Sequence, residues 1–478
     1  MTDDDSSSES EGTGAEGMVE SREQQGFDAV FGSDASMLLA LLLAIYALYV
    51  AGGLVIGFPL RGLVNQLGQL TFWIAVFGMG ALALNLHWGY TGLFNIGIVG
   101  FMATGVYVTA IVSKPVFGSG TTAAEIGGLG LPLFVGIVVG MVAAGLLGLV
   151  AALPALRLRA DYLAIVTIAL SEIVRFTLLS DAVSKGTFGG YTIGLGGGDG
   201  VILDFADPHE AFVKAISAPF DLILGTEDYL WEEIYLGVLV DAAGTVIRPN
   251  PKPVVDNFFY AILLLIVMGG FYALLRRTGN SPFGRVLKGI REDEDVTNAL
   301  GKDTNRFKIK SFVVGCALMG LVGILWFGAQ GSVTPNTFRP RITFYIWIAL
   351  IIGGAGSNTG SVIGGAIFAA LLFQGPLYFK NVVQTVLGDP EAPGSFGAAM
   401  AQVGGGDVVP FLLYTLDSLR QLQLVIMGLV LIWLMHNRPQ GMLGHRKEIA
   451  SSISLTRASA SAESEDDPVA TDGGEARE

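Results

Sequence analysis

The run MLLALLLAIYALYVAGGLVIGF, from Met37 to Phe58, holds 22 consecutive residues without a charged side chain. About twenty apolar residues are enough for an α-helix to cross the hydrocarbon core of a bilayer. The whole chain has this character: 51% of its 478 residues are hydrophobic and only 15% are charged, against about 25% in soluble domains. We therefore predict an all-α integral membrane protein that crosses the bilayer many times.

The hydropathy pattern predicts about ten transmembrane helices. The segments are 37–58, 67–86, 91–112, 130–153, 160–180, 257–275, 311–330, 342–356, 361–377 and 411–436. The eighth and ninth are short and are separated by GGAGSNTG (Gly353–Gly360), so they form either two half-helices or one broken helix. Together the segments define a membrane domain at 37–444 between polar tails at 1–36 and 445–478.

Acidic residues are concentrated outside the apolar segments. The two tails and the loop 196–256 carry net charges of −9, −4 and −8, whereas the rest of the chain carries +7. The tails are predicted to be disordered, because they cannot bury enough apolar surface to offset the entropy of ordering. This distribution of charge suits a high-salt environment, and we interpret the chain as that of a halophilic archaeon; ordinary solvating tails are the alternative.

The orientation in the membrane follows from the basic residues. Nine Lys and Arg residues lie in the short segment 276–310. Short loops rich in these residues face the cytoplasm. Counting spans from this loop places the acidic loop 196–256 outside the cell and both termini in the cytoplasm. We expect a multi-pass protein of the cell membrane, in contact with lipid and not with nucleic acid.

The sequence lacks the residue patterns of an enzyme. Cys316 is the single cysteine, which excludes a disulfide within the chain and a cysteine-based metal site. The four histidines show no ligand spacing, and no Gly-x4-Gly-Lys-Ser/Thr phosphate loop occurs. We therefore expect no catalysis, no metal and no cofactor in this chain.

The stretch KGIREDEDVTNALG (Lys288–Gly301) carries five consecutive charges. Successive helical residues turn by about 100°, so no orientation of a helix hides all five charges from lipid. Each charge costs roughly 2.5–3.5 kcal/mol at the bilayer centre, so the segment must lie in water or against protein. Apolar residues flank the charges and Gly301 can end a helix. The pattern predicts one short helix, which either docks on a partner protein or is a solvated part of the loop.

The longer stretch GRVLKGIREDEDVTNALGKDTNRFKIKSFVVGCALMGLVGIL (284–325) resembles the cytoplasmic coupling loop of branched-chain amino acid ABC importer permeases. In that family the loop docks on the ATPase subunit and carries ATP-driven motion into the membrane. The Glu-Ala-Ala and Gly pattern of many ABC permeases is reduced here to Asp295 and Gly301. The resemblance implies a coupling role for Gly284, Arg285, Arg291, Glu292, Asp293, Glu294, Asp295, Ala299 and Gly301.

Further stretches are similar to the same family, in order. They are NLHWGYTGLFNIGIVGFMATGVYVTA (85–110), LRLRADYLAIVTIALSEIVRF (156–176), GTFGGYTIGLGGG (186–198), IALIIGGAGSNTGSVIGGAIFAALL (348–372) and RPQGMLG (438–444). Their glycines permit close helix approach or a broken helix that lines a path. Candidates for the translocation path or for helix packing are Asn85, Gly89, Gly92, Asn95, Gly97, Gly105, Tyr107, Tyr162, Glu172, Arg175, Gly189, Gly190, Gly194, Gly353, Gly354 and Gly356.

Two of these candidates are ionisable residues within a predicted span. Glu172 and Arg175 are one helical turn apart and can form an ion pair. Charged side chains inside a span mark a functional site by default, because lipid excludes them. The alternative is a pair near the outer end of the helix that only fixes packing.

The resemblance implies the permease subunit of an ATP-driven importer for branched-chain amino acids. The implied partners are a second permease subunit, two ABC ATPase subunits that bind the ATP, and an external substrate-binding protein. The loop 196–256 departs from the family by its length and is either a contact for the binding protein or a halophilic insertion. The alternatives are a permease for urea, amides or other amino acids, and a secondary transporter without ATPase partners.

Overall fold

The computed structural model describes residues 34–116, 126–155, 160–188, 191–203, 239–240, 246–247, 252–388, 393–406, 408–437 and 441–443. Nearly all of both predicted tails and most of the acidic loop lie outside these residues, as do Gly189 and Gly190. The predictions for those parts of the chain therefore stay predictions.

The described residues form fifteen α-helices. The first eight are α1 (Asp34–Ile56), α2 (Leu60–Leu84), α3 (Ile98–Ser113), α4 (Leu133–Ala155), α5 (Ala160–Leu179), α6 (Lys252–Asn280), α7 (Pro282–Glu292) and α8 (Glu294–Ala299). The others are α9 (Thr304–Gly328), α10 (Pro340–Gly353), α11 (Asn358–Ile367), α12 (Gly375–Val386), α13 (Phe396–Gly404), α14 (Val409–Asp417) and α15 (Leu419–Asn437). A π-helix, Asn85–Tyr90, continues α2, and another, Phe368–Gln374, joins α11 to α12.

The described residues also include six short strands, five in the chain between α5 and α6 and one between α9 and α10. They are β1 (Gly186–Phe188), β2 (Tyr191–Ile193), β3 (Val201–Ile202), β4 (Leu239–Val240), β5 (Val246–Ile247) and β6 (Ser332–Val333). The antiparallel pairs are β1 with β2, β3 with β6, and β4 with β5. The pairing of β3 with β6 ties the chain that follows α5 to the chain that follows α9.

Seven helices in the described part of the chain are long and apolar enough to cross a membrane. They are Ser36–Ile56, Gly62–Tyr90, Leu133–Pro154, Tyr162–Leu179, Asn257–Asn280, Thr304–Gly328 and Asn358–Val386. The pair Val409–Asp417 and Leu422–Asn437 would add an eighth, bent by 85°. The multi-pass, all-α class is thus confirmed. The count of ten stays a prediction, because α3 and α10 are apolar but have only 16 and 14 residues.

The centre of the membrane domain is built around α2 and α9, most of whose residues are buried. Their large side chains meet there: the ring of Trp73 lies 5.5 Å from that of Trp326, edge to face. Phe77, one turn after Trp73, packs its ring 4.7 Å from that of Phe368 in the second π-helix. Aromatic rings at i and i+4 thus place one face of α2 in the core.

The segments α10 and α11 are an antiparallel helical hairpin, which decides between the two arrangements predicted for 342–377. A Cβ atom at Gly353 would overlap the carbonyl oxygen of Gly360, and one at Gly364 would overlap that of Ala349. The two backbones therefore touch directly, as small residues permit in membranes. The turn between the helices passes through Gly354 and Gly356, whose φ angles of +99° and +96° favour glycine.

Candidate functional site

The charged segment after α6 forms two helices where the sequence predicts one. Ser281 caps the start of α7 by accepting a hydrogen bond from the Gly284 amide at 3.2 Å. The next break is at Asp293, whose backbone is extended and whose carboxylate accepts from the Val296 amide at 3.0 Å. Asp is a favoured N-cap, so the third of the five charges starts a new helix and does not continue the old one. Gly301, with φ of +77°, ends this second helix, as predicted.

The first turn of α7 is packed tightly against the end of α6. Gly284 is buried, and a Cβ atom there would overlap the carbonyl oxygen of Thr278 and lie 2.7 Å from Gly279 Cα. Arg285, the next residue, is exposed. Gly284 therefore serves the turn between the helices, whereas Arg285 faces outward.

Two further charges of the segment are held by other helices. The Arg291 guanidinium donates a hydrogen bond to the carbonyl oxygen of Gly89, in the π-helix Asn85–Tyr90. Glu294 accepts a hydrogen bond from the Thr304 hydroxyl at 3.0 Å and forms an ion pair with Lys308. These contacts fix α7 to this π-helix and α8 to α9.

The remaining two charges belong to an exposed edge that we define as Glu292, Asp295, Val296, Ala299 and Leu300. Among the described residues, neither Glu292 nor Asp295 has a hydrogen-bond or ion-pair partner. Val296 and Leu300, one turn apart, leave 54% and 75% of their surface exposed. The edge therefore presents an apolar pair beside two carboxylates, on a segment too short and too polar to enter a membrane.

Arg291 lies in a seat made of three glycines, which we define as Gly89, Gly92 and Gly356. Besides the bond to Gly89, an added Cβ atom at Gly356 would lie 2.9 Å from Arg291 Nη1. One at Gly92 would lie 3.6 Å from Arg291 Cγ. Gly92 and Gly356 both have positive φ angles, +74° and +96°. The backbone at Gly92 and the α10–α11 turn at Gly356 thus approach the same arginine closely, because neither glycine has a side chain.

A buried polar network lies behind the seat. Asn85 Oδ1 accepts a hydrogen bond from the Gly356 amide at 2.8 Å, and its Nδ2 donates to Asn358 Oδ1 at 3.1 Å. His87 Nδ1 lies 3.2 Å from Asn95 Nδ2, a donor, so Nδ1 must accept. His87 Nε2 then donates to a carbonyl oxygen of α9 at 3.0 Å. The network connects α2, α9 and the α10–α11 turn.

The predicted span 91–112 is wrong at its start, because α3 begins only at Ile98. The backbone before it is buried but not helical, and side chains satisfy it. The Asn95 carbonyl accepts from Trp347 Nε1 at 3.0 Å, and the Ile96 amide donates to Thr167 Oγ1 at 3.1 Å. Irregular backbone is tolerated at membrane depth when protein surrounds it in this way.

The described part of the final motif, residues 441–443, caps helix α10. The amides of Met442 and Leu443 donate to the carbonyl oxygens of Ile352 and Gly353, both at 3.0 Å. Gly441, with φ of +74°, allows this approach. The helices α7 and α8 thus meet the π-helix Asn85–Tyr90, the α10–α11 turn and residues 441–443 at one place, a convergence that the sequence does not reveal.

The predicted ion pair in α5 is confirmed and lies at the other end of the helices. Arg175 Nε and Nη2 donate to Glu172 Oε2 at 2.9 and 2.6 Å. Arg175 Nη1 also donates to Asn336 Oδ1 at 3.3 Å, in the turn before α10. The pair therefore joins α5 to that turn. Tyr162, near the start of α5, is exposed.

The other candidates described by the structure contribute to packing. A Cβ atom at Gly97 would overlap the Thr167 carbonyl oxygen, and one at Gly194 would overlap that of Ser184. At Gly105 it would lie 2.6 Å from the carbonyl oxygen of Gly320, where α3 crosses α9. Tyr107 is buried, with its ring 6.1 Å from that of Phe338.

Replacing Asn85 tests the network. In Asn85→Ala the half-buried Gly356 amide and Asn358 each lose a partner, which costs about 1–3 kcal/mol. We expect a lower midpoint of thermal unfolding in detergent. Asn437→Ala is the control, because the bond of this exposed side chain, among the residues that the structure describes, is to a carbonyl oxygen of its own helix, that of Trp433. Equal midpoints for both variants would contradict a structural role for the network.

Sequence reasoning missed Asn358, Trp347 and the hydrogen bond of Arg291 to Gly89. Asn358 lies within the quoted motif 348–372 and Trp347 directly before it, but their partners are more than 200 residues away. The one local signal was for Arg291, which is the single cation among five charges that otherwise are acids.

Residues 66–435 match the family described as branched-chain amino acid transport system / permease component. The chain is 28% identical over 309 residues to the high-affinity branched-chain amino acid transport system permease protein LivM of Salmonella typhimurium. That match covers 64% of this chain and 62%, or less than two thirds, of the relative.

Two other LivM proteins are similar over a comparable part of the chain. The protein of Escherichia coli is 28% identical over 342 residues, which cover 71% of this chain and 68% of that one. The probable LivM of Methanocaldococcus jannaschii is 24% identical over 353 residues, with 69% and 87% covered. No solved structure matches.

The family match runs from the first turns of α2 almost to the end of α15, and it includes α7, α8, the π-helix Asn85–Tyr90 and the α10–α11 turn. The matched residues are most of the chain and include most of the described membrane helices. The chain therefore belongs to the family of branched-chain amino acid transport permease components.

Proposed function

We propose that this chain is the permease subunit of an ATP-driven importer and forms part of the membrane path for branched-chain amino acids. Support for the cargo comes from the relatives, which are named as branched-chain amino acid permeases over matches of 309 to 353 residues. A permease is a transport protein and not an enzyme, so the chemistry that drives uptake belongs to partner subunits.

The exposed edge is the observation that carries the proposal. Val296 in α8 and Leu300 directly after it are exposed, in the segment that joins the membrane helices α6 and α9. Glu292 and Asp295 are exposed in the same segment. Two exposed apolar side chains, on a charged segment that is hydrogen-bonded to the membrane domain, are suited to insertion into a groove of a soluble partner. We assign this partner as an ATPase subunit, with two copies for the importer and ATP bound on them.

The remaining assembly follows from the same assignment. A second permease subunit would complete the path, and an external substrate-binding protein would deliver the amino acid. The nine basic residues between 276 and 310 support a cytoplasmic position for α7 and α8, which we call the coupling helices. Both termini then also lie in the cytoplasm, where the ATPases are.

The test is purification of the tagged chain from its native membranes, followed by reconstitution into liposomes. We expect two ATPases and a second permease to co-purify, and ATP with the binding protein to drive uptake of labelled leucine, isoleucine and valine. Competition by urea or amides in place of these amino acids would reassign the cargo. Uptake driven by an ion gradient without ATP would replace the proposal with a secondary transporter.

A further inference from the structure

We infer that Arg291 is the positioning residue that transmits movement of the coupling helices to the broken segment 85–97. This inference rests on the proposed function, because it presumes that an ATPase displaces α7 and α8. The sequence groups Arg291 with the acids around it as a docking residue. The residue is exposed, but its guanidinium is hydrogen-bonded to the Gly89 carbonyl oxygen of the π-helix Asn85–Tyr90.

The hydrogen bond between Arg291 and Gly89 is of a kind that can transmit a displacement of α7 to the π-helix, and the reverse. A guanidinium donating to a carbonyl oxygen is a charge-assisted hydrogen bond, stronger than a neutral one. Gly356 lies close to the guanidinium as well, since a Cβ atom there would come within 2.9 Å of Nη1. On this inference, displacement of α7 moves the Gly89 carbonyl through the hydrogen bond.

The seat in turn is fixed to the core on both of its walls. Asn85 Oδ1 holds the Gly356 amide at 2.8 Å, and Asn85 itself belongs to the same π-helix as Gly89. The wall from 85–90 and the wall from the α10–α11 turn thus move together. The polar contacts of Glu294, to Thr304 and Lys308, lead to α9 instead.

Trp88 is the residue whose exposure a movement of the π-helix Asn85–Tyr90 would change. It precedes Gly89 and keeps 37% of its surface exposed, whereas the rest of the π-helix is buried. Its ring lies 5.2 Å from that of Phe94 and 5.6 Å from that of Trp347. A π-turn departs from regular α-helical bonding and is often found at functional sites. A shift of the Gly89 carbonyl would therefore reorient this aromatic cluster.

The experiment measures uptake per ATP hydrolysed in the purified importer reconstituted in liposomes. In Arg291→Ala we expect normal co-purification of the ATPases but at least a tenfold loss of uptake per ATP. Arg291→Lys, which retains a cationic donor, should recover much of the coupling. The matched control is Arg306→Ala: this exposed arginine of the same loop pairs with Asp303, three residues earlier, at 2.8 Å. It should behave like the unaltered chain.

A second variant keeps the inference testable if Arg291→Ala does not assemble. Gly356→Ala leaves the arginine in place but adds a Cβ atom 2.9 Å from Nη1, at a φ of +96°. It should reproduce the uncoupling.

A labelling readout separates transmission from mere structural support. With Cys316, the only cysteine, replaced by alanine, Trp88→Cys can be labelled with a soluble maleimide. ATP should change the labelling rate at position 88, and Arg291→Ala should remove that change.

Coupling within twofold of the unaltered chain in both Arg291→Ala and Gly356→Ala would overturn the role of Arg291. Failure of the unaltered chain to bring down any ATPase would instead overturn the proposed function. The two failures are therefore distinguishable in one set of preparations.

Discussion

Leu300→Asp is expected to abolish ATP-dependent uptake while leaving the chain inserted in the membrane. Leu300 is 75% exposed at the end of α8, so no packing within the described protein is lost. The substitution replaces an exposed apolar side chain of the proposed contact by a charge, in a segment that already carries the exposed acids Glu292 and Asp295. Loss of about 3 kcal/mol of interface energy would weaken ATPase binding roughly a hundredfold. The measurement is recovery of the ATPase with the tagged permease, together with leucine uptake.

The matched control for this variant is Leu387→Asp. Leu387 is also exposed, but it follows α12, the segment that leads away from the coupling helices. We expect ATPase recovery and uptake near those of the unaltered chain. If Leu300→Asp retains its ATPase, the exposed edge is not the docking surface, and the coupling assignment of α8 is wrong.

Gly364→Ala is expected to destabilise the membrane domain by about 3 kcal/mol or more, since its methyl group would overlap backbone and not a movable side chain. The added Cβ atom would lie 2.0 Å from the Ala349 carbonyl oxygen and 2.5 Å from the Gly353 amide nitrogen. The α10–α11 hairpin would have to open, and with it the turn that holds Gly356. The measurement is the midpoint of thermal unfolding in detergent and the yield of folded protein.

Gly270→Ala is the control, because nothing lies within 4 Å of a Cβ atom added there, midway along α6. Alanine is favoured over glycine inside a helix by roughly 0.5–1 kcal/mol, so this variant should be neutral or more stable. Opposite signs for the same substitution in two membrane helices would confirm that backbone contact, and not helix propensity, explains Gly364. A stable Gly364→Ala protein would contradict the close approach of α10 and α11.

The class of fold could be predicted from the sequence because hydropathy is a local property. The run at 37–58 and the other apolar segments all overlap helices of the structure, and Gly301 ends its helix as predicted. The predictions that were wrong concern helix boundaries, where the hydrogen bonds of individual side chains decide the outcome and the hydropathy pattern does not. Asp293 splits the coupling helix by capping it, and side chains of α5 and α10 replace the missing helical bonds before Ile98.

The candidate site could be predicted as a set of motifs but not as an assembly. Composition identified the charges of 291–295 and the glycines of 353–356, yet it assigned them to separate roles. Their meeting depends on a hydrogen bond between residues 291 and 89 and another between 356 and 85. No periodicity connects residues that far apart, so only the packed structure shows that Arg291 faces its glycine seat.

The cap on α10 has a consequence for biosynthesis. The amides of Met442 and Leu443 bond carbonyl oxygens that lie ninety residues earlier in the chain. At a synthesis rate of about 5–20 residues per second, those carbonyls wait several seconds for their donors. A truncated product that ends before Gly441 never supplies them. The end of α10 is therefore completed only after the last residues of the membrane domain have been synthesised.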